Sequence, residues 1–85
     1  MLYQSLHTFC YLLEPKEERQ ISAGDKILIP EDDSKIFLHI LGDDDKVKAT
    51  HTLNGATRIS NKSRLINGSD RVVEVKILEI SWHAR

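Results

Sequence analysis

Four kinds of side chain in this sequence could act chemically on something else: one thiol, four imidazoles, two acid clusters and a set of cations gathered towards the C-terminus. The thiol is Cys10, set between Phe9 and Tyr11 in an apolar run. A nucleophilic cysteine needs an accessible, electropositive setting that stabilises its thiolate, so this position predicts a packed core thiol instead. His7, His39, His51 and His83 include no i, i+4 pair of the zinc-protease kind, and no CxxC completes a tetrahedral ligand set. Only His39 and His51, expected on adjacent strands, would converge, and no metal site is assigned. Asp32-Asp33 and Asp43-Asp44-Asp45 lack the alternating ligands, internal glycine and closing glutamate of a calcium loop. They read as solvated turns. The glycine-rich phosphate loops and the nucleophile elbow are also missing from the sequence. No catalytic residue and no cofactor are expected.

The cations carry more weight. Residues 1–45 hold ten acids and four bases, whereas residues 46–85 hold three acids and eight bases. Arg58, Lys62, Arg64 and Arg71 form the candidate binding set, with Lys46 and Lys48 nearby in sequence. If Asn67-Gly68 closes a two-residue hairpin, Arg64 lies opposite Arg71, and like charges across a ladder suggest an anionic partner. A four-residue loop would set Arg64 opposite Val73 and weaken that inference. No Phe, Tyr or Trp lies between Phe37 and Trp82. Single-stranded nucleic acid, which is usually held by stacking on aromatic rings, would therefore have to be held through its phosphates.

The elements that must position these groups are short strands. Gly24-Asp25, Gly42-Asp43, Asn54-Gly55 and Asn67-Gly68 punctuate the chain, each followed by a β-prone or alternating run. Residues 26–30 read as a strand ended by Pro30, and residues 35–41 as a central strand covered on both faces. In 46–60, Val47, Ala49, His51 and Leu53 alternate with polar residues up to Asn54-Gly55. This predicts a type I′ hairpin pairing Leu53 with Ala56, His51 with Arg58 and Thr50 with Ile59. Asn67-Gly68 predicts a second hairpin. In the last strand, Val73, Val75 and Ile77 hold one phase, then Leu78, Ile80 and Trp82 the other. Such a slip predicts a β-bulge at Ile77-Leu78 and a Trp82 at least half buried. Leu2, Leu6, Phe9 and Leu13 recur at helical spacing, but the β-prone run from Thr8 to Tyr11 favours a strand over about 6–13. Pro15 leaves room for one helical turn at 15–19.

The expected architecture is thus one all-β domain over residues 1–85, a small barrel or sandwich of five to seven short antiparallel strands. Its 85 residues hold 40% hydrophobic and 29% charged residues, a globular composition with a thin core. One cysteine excludes an internal disulfide framework and points to a reducing compartment, the cytoplasm. No run approaches the ~20 apolar residues of a membrane helix. The N-terminal stretch has no basic leader and no cleavage pattern, so it reads as part of the fold rather than a signal peptide. The function expected is a non-enzymatic module, itself a homodimer, that binds another protein, one with an acidic surface. Nucleic-acid binding by the basic hairpins is the alternative, and a small hydrolase or metal-dependent enzyme a distant third.

Overall fold

The computed structural model describes residues 2–84, which form eight strands and no helix. They are β1 (Leu2–Leu13), β2 (Glu18–Ile21), β3 (Lys26–Pro30), β4 (Ile36–Leu41), β5 (Val47–Thr52), β6 (Thr57–Ile59), β7 (Ser63–Asn67) and β8 (Val73–Ala84). The chain doubles back at a hairpin between β4 and β5. The strands on either side then pair in succession: β4 with β5, β3 with β6, β2 with β7 and β1 with β8. This doubled ribbon rolls up until β8 also pairs with β3 and β7 with β4. Two four-stranded antiparallel sheets result, ordered β1-β8-β3-β6 and β2-β7-β4-β5. That interleaved order is the jelly-roll arrangement of two packed sheets. Among the described residues each sheet keeps two free edges, so the structure is a sandwich and not a closed barrel.

Inward-facing aliphatic residues from both sheets make one core. Leu28, Val73 and Val75 from the first sheet meet Ile36, Leu38 and Leu65 from the second, and all six are essentially inaccessible. Each such side chain stabilises the sandwich by about 1.5–3 kcal/mol relative to exposure. Lys26 is also buried. Its ammonium donates to the Ser22 carbonyl at 2.8 Å and the Ala23 carbonyl at 3.3 Å, capping the crossing from β2 to β3.

The rolled ribbon corrects several expectations. There are eight strands rather than five to seven. The Asn54-Gly55 hairpin does not form: β5 pairs with β4 and β6 with β3, in different sheets. The register sets His51 opposite the core residue Leu38, but β5 is not the half-buried strand expected: Val47 and His51 are exposed, and only Leu53, just past the strand, is buried, beside Ile36, whose carbonyl accepts from the Leu53 amide at 2.8 Å. A type I′ turn needs positive φ at both central residues; only Gly55, at 100°, has it. The segment crosses between sheets and joins no pair of neighbours. The Asn67-Gly68 hairpin fails in the same way, because β7 and β8 belong to opposite sheets. No bulge interrupts β8, whose registers with β1 and β3 are continuous; the irregularity lies at Ile40/Leu41, where β4 meets β5. Pro15 starts no helix. It opens a turn closed by the Glu17 amide on the Glu14 carbonyl at 3.0 Å, with Lys16 at φ 65°.

The crossing from β7 to β8 is held by one side chain. Asn67 is fully buried. Its amide nitrogen donates to the carbonyls of Leu13 (3.0 Å), Glu14 (3.1 Å) and Arg71 (2.8 Å), while its oxygen accepts from the Ser69 amide at 2.8 Å. Backbone groups from the end of β1, the start of the β1–β2 turn and the β7–β8 crossing thereby share one satisfied centre. Gly68 follows because a Cβ there would clash with the Phe37 ring.

Candidate interaction surface

β1 and β8 are each 12 residues long, while the strands of the second sheet have six or fewer. β3 pairs only with Val75 to Glu79 of β8. Beyond that, Leu2 to Leu6 and Ile80 to Ala84 continue as a two-stranded ribbon. A two-stranded ribbon is marginal in water by itself. On its inner side Tyr3 stacks on His83 at 4.9 Å between ring centroids, and the Ser5 hydroxyl lies 2.8 Å from the His83 ring nitrogen Nε2. Its outer side is apolar. Leu6 sits opposite the buried Ile80, with Leu2 and Trp82 beside them. Leu2, Leu6 and Trp82 are 68%, 58% and 58% exposed, and Leu12 further along β1 is 64% exposed. Trp82 is therefore not half buried as expected, because no third strand reaches it.

β1 is also an edge, paired on one side only among the described residues. The backbone direction of its neighbour fixes which β1 groups are free. In β8 the Ile80 amide donates to the Asp25 carbonyl at 2.9 Å, and the Glu74 carbonyl accepts from the Glu31 amide at 3.0 Å. The even-numbered residues of β8 thus address β3, and the odd-numbered ones address β1. Through the register Val75 to Tyr11, Ile77 to Phe9 and Glu79 to His7, odd residues of β1 bond β8. The N–H and C=O groups of Leu2, Gln4, Leu6, Thr8, Cys10 and Leu12 point away from the sheet. No charged residue, proline or glycine occurs in β1, so it lacks the usual devices that keep an edge strand from pairing.

The four basic residues singled out by the sequence are not gathered into one site. Arg58 lies on the outer face of the first sheet, since its neighbour Ile59 is buried in the core. Arg64 lies on the outer face of the second sheet, opposite Gln20 and His39, because Leu65 points inward. The two are on opposite sides of the sandwich. Arg64 does not face Arg71, which precedes β8 and pairs with Glu31. Lys62 pairs with Asp45, and Arg58 grips Asp25 with two bonds, Nε to Oδ1 at 2.8 Å and Nη2 to Oδ2 at 2.6 Å. Rolling the ribbon brings its acidic half against its basic half, so three of the four cations meet carboxylates. The Arg58 hydrogen bonds, then its charge, and to a smaller extent the Trp82 side chain hold the Asp25 carboxyl below the usual carboxylate range. The same pairing raises Arg58.

The other candidate groups are also placed. Cys10 is exposed on the outer face of β1 opposite Lys76, not packed in the core. His39 and His51 are on adjacent strands as expected, but opposite Thr50 and Leu38 respectively, and so on different faces. The His39 Nδ1 is buried without a hydrogen-bond partner. Among the described residues no three His, Cys, Asp or Glu side chains cluster as metal ligands. An open depression of about 400 Å³ separates the β5 and β6 edges, lined by Ile40, His51, Leu53, Thr57, Ile59 and Asn61 among others. A space of that size is unexpected in so small a chain. Among the described residues no helix is long and apolar enough to cross a membrane. Comparison with family models, curated proteins and solved structures finds no match for this chain.

The residues that sequence reasoning missed are Leu2, Leu6, Leu12 and Trp82. Apolar residues on both faces of 2–13 were the available signal. Such a run marks either a strand covered on both sides or an edge with an open apolar face, and nothing local separates the two.

Proposed function

We propose that this protein is a non-enzymatic interaction module of the cytoplasm, which binds another protein chain by adding its strand to the free edge of β1. One observation carries the reading: a 12-residue edge strand without charge, proline or glycine, whose outward backbone groups lie beside exposed leucines. Strand addition takes its affinity from main-chain hydrogen bonds and its selectivity from side chains alternating along the edge. The compartment follows from the single, unpaired Cys10. Nucleic-acid binding has weaker support, since Arg58, Lys62 and Arg71 are matched by Asp25, Asp45 and Glu31. The same matching removes the ground for requiring an acidic partner. The fold itself argues for no function, because jelly rolls serve many.

A pull-down from the native source, run in parallel with the parent and a Leu6→Lys, Leu12→Lys variant, tests the reading. Both substitutions put charge on the outer face beside the free edge while leaving the core untouched. Proteins retained by the parent and lost by the variant are expected. Equal capture by both would overturn the assignment of this edge.

A further inference from the structure

We infer that the strand taken up by β1 is the β1 of a second copy, paired antiparallel about a two-fold axis through His7. This rests on β1 being the interaction edge and adds the identity of its occupant. Directly opposed residues of an antiparallel pair lie on the same face. A two-fold axis perpendicular to the sheet must therefore place even residues opposite even ones. The outward-directed residues of β1 are the even ones, so the parity that joins the outer faces also joins the free donors to the free acceptors. With the axis at His7, Leu2 faces Leu12 of the other copy, Gln4 faces Cys10 and Leu6 faces Thr8. No outward group between Leu2 and Leu12 is left over. No other centre keeps all six in register.

Self-pairing sets no Asp, Glu, Lys or Arg of β1 against itself. The edge is also flanked by exposed apolar side chains. Leu2, Tyr3, Leu6, Phe9 and Leu12 are each more than 40% exposed. A second strand laid along this edge covers the flanks of apolar side chains on both faces of the sheet while it bonds the free backbone groups. The product is one eight-stranded sheet running through both molecules, in which the two-stranded ribbon gains a third and fourth strand. An isologous pairing of this kind closes on itself and leaves no β1 edge to propagate a fibre.

The test uses the parity of the backbone. The Thr8 amide points away from β8, so Thr8→Pro removes a free donor without breaking the β1–β8 ladder. Sedimentation equilibrium should find the parent dimeric and Thr8→Pro monomeric, with a dissociation constant raised at least about tenfold and an unchanged far-ultraviolet spectrum. In a Cys10→Ser background with a mild oxidant, His7→Cys should give a disulfide-linked dimer rapidly and Thr8→Cys should not, which reports the axis. A parent that stays monomeric at all accessible concentrations overturns the inference, as does a dimer indifferent to Thr8→Pro. If the parent is monomeric yet Thr8→Pro loses captured proteins in the pull-down, the edge is the binding site and its occupant is another protein. If capture is also unaffected, both readings fail.

Discussion

Asn67 shows how much one polar side chain can hold when every atom of it is used. Its two N–H bonds are shared among three carbonyls and its oxygen accepts from one amide, at a point where β1 ends and the chain crosses towards β8. Asn67→Ala leaves the Leu13 carbonyl and the Ser69 amide, whose bonds to it are buried, without that partner, and each group left unpaired costs about 1–3 kcal/mol. The variant is therefore expected to lose at least about 2 kcal/mol in urea denaturation, a large part of the stability of a small domain. Asp25 offers a second, spectroscopic test. Its folded carboxyl is held below the ordinary value by Arg58 and, to a smaller extent, by Trp82. A group with a depressed folded pKa stabilises above its unfolded value and loses that contribution as pH falls through the folded one. Trp82 fluorescence should accordingly titrate with a midpoint below the ~3.9 of a free aspartate, and the step should vanish in Asp25→Asn.

At the level of elements, the sequence was informative about faces and poor about partners. The alternation in 47–53 correctly turned Leu53 inward, and the run at 35–41 correctly became a central strand. Alternation is a property of one strand, whereas pairing depends on where the chain goes next. Asn54-Gly55 and Asn67-Gly68 both cross between sheets, and an Asn-Gly dipeptide reads the same in a crossing as in a hairpin. The one true hairpin, β4 to β5, turns instead through Gly42 and the aspartates up to Asp45, whose φ is 62°. The Arg64–Arg71 opposition fails for the same reason, since it depended on a hairpin that does not form. Gly55 still tests the crossing. It has φ 100° with nothing within 4 Å of the place a Cβ would take, so only backbone strain opposes a side chain there. Gly55→Val should destabilise the fold by about 1 kcal/mol, read from the denaturation midpoint, while D-alanine, which favours positive φ, should leave stability unchanged or raised.

For the whole molecule, the doubled-back ribbon sets the order of distances along the chain. Only β4 and β5 are close in sequence, and every other pair joins residues progressively further apart, ending with Leu2 opposite Ala84. Topologies dominated by such non-local pairs fold slowly, in milliseconds to seconds. The outermost pair is also the one that leaves β1 as an edge, so the strand proposed to bind a partner depends on the longest loop closure in the fold.

The pairing of Leu2 with Ala84 has a further consequence for protein engineering. Cα atoms of opposed residues in an antiparallel ladder are about 4.5–5.5 Å apart, so a polypeptide enters and leaves this jelly roll at nearly one point. That is the geometry required of a cassette spliced into a surface loop of a host, which needs only a gap a few ångströms wide. Residues 2–84 inserted through short glycine-serine arms into an exposed loop of a reporter such as a fluorescent barrel should fold while the reporter keeps its emission. Because β1 stays at the rim of the graft, the fusion should also bring two reporters side by side. Energy transfer between differently coloured fusions, abolished by Thr8→Pro, would read that out in living cells.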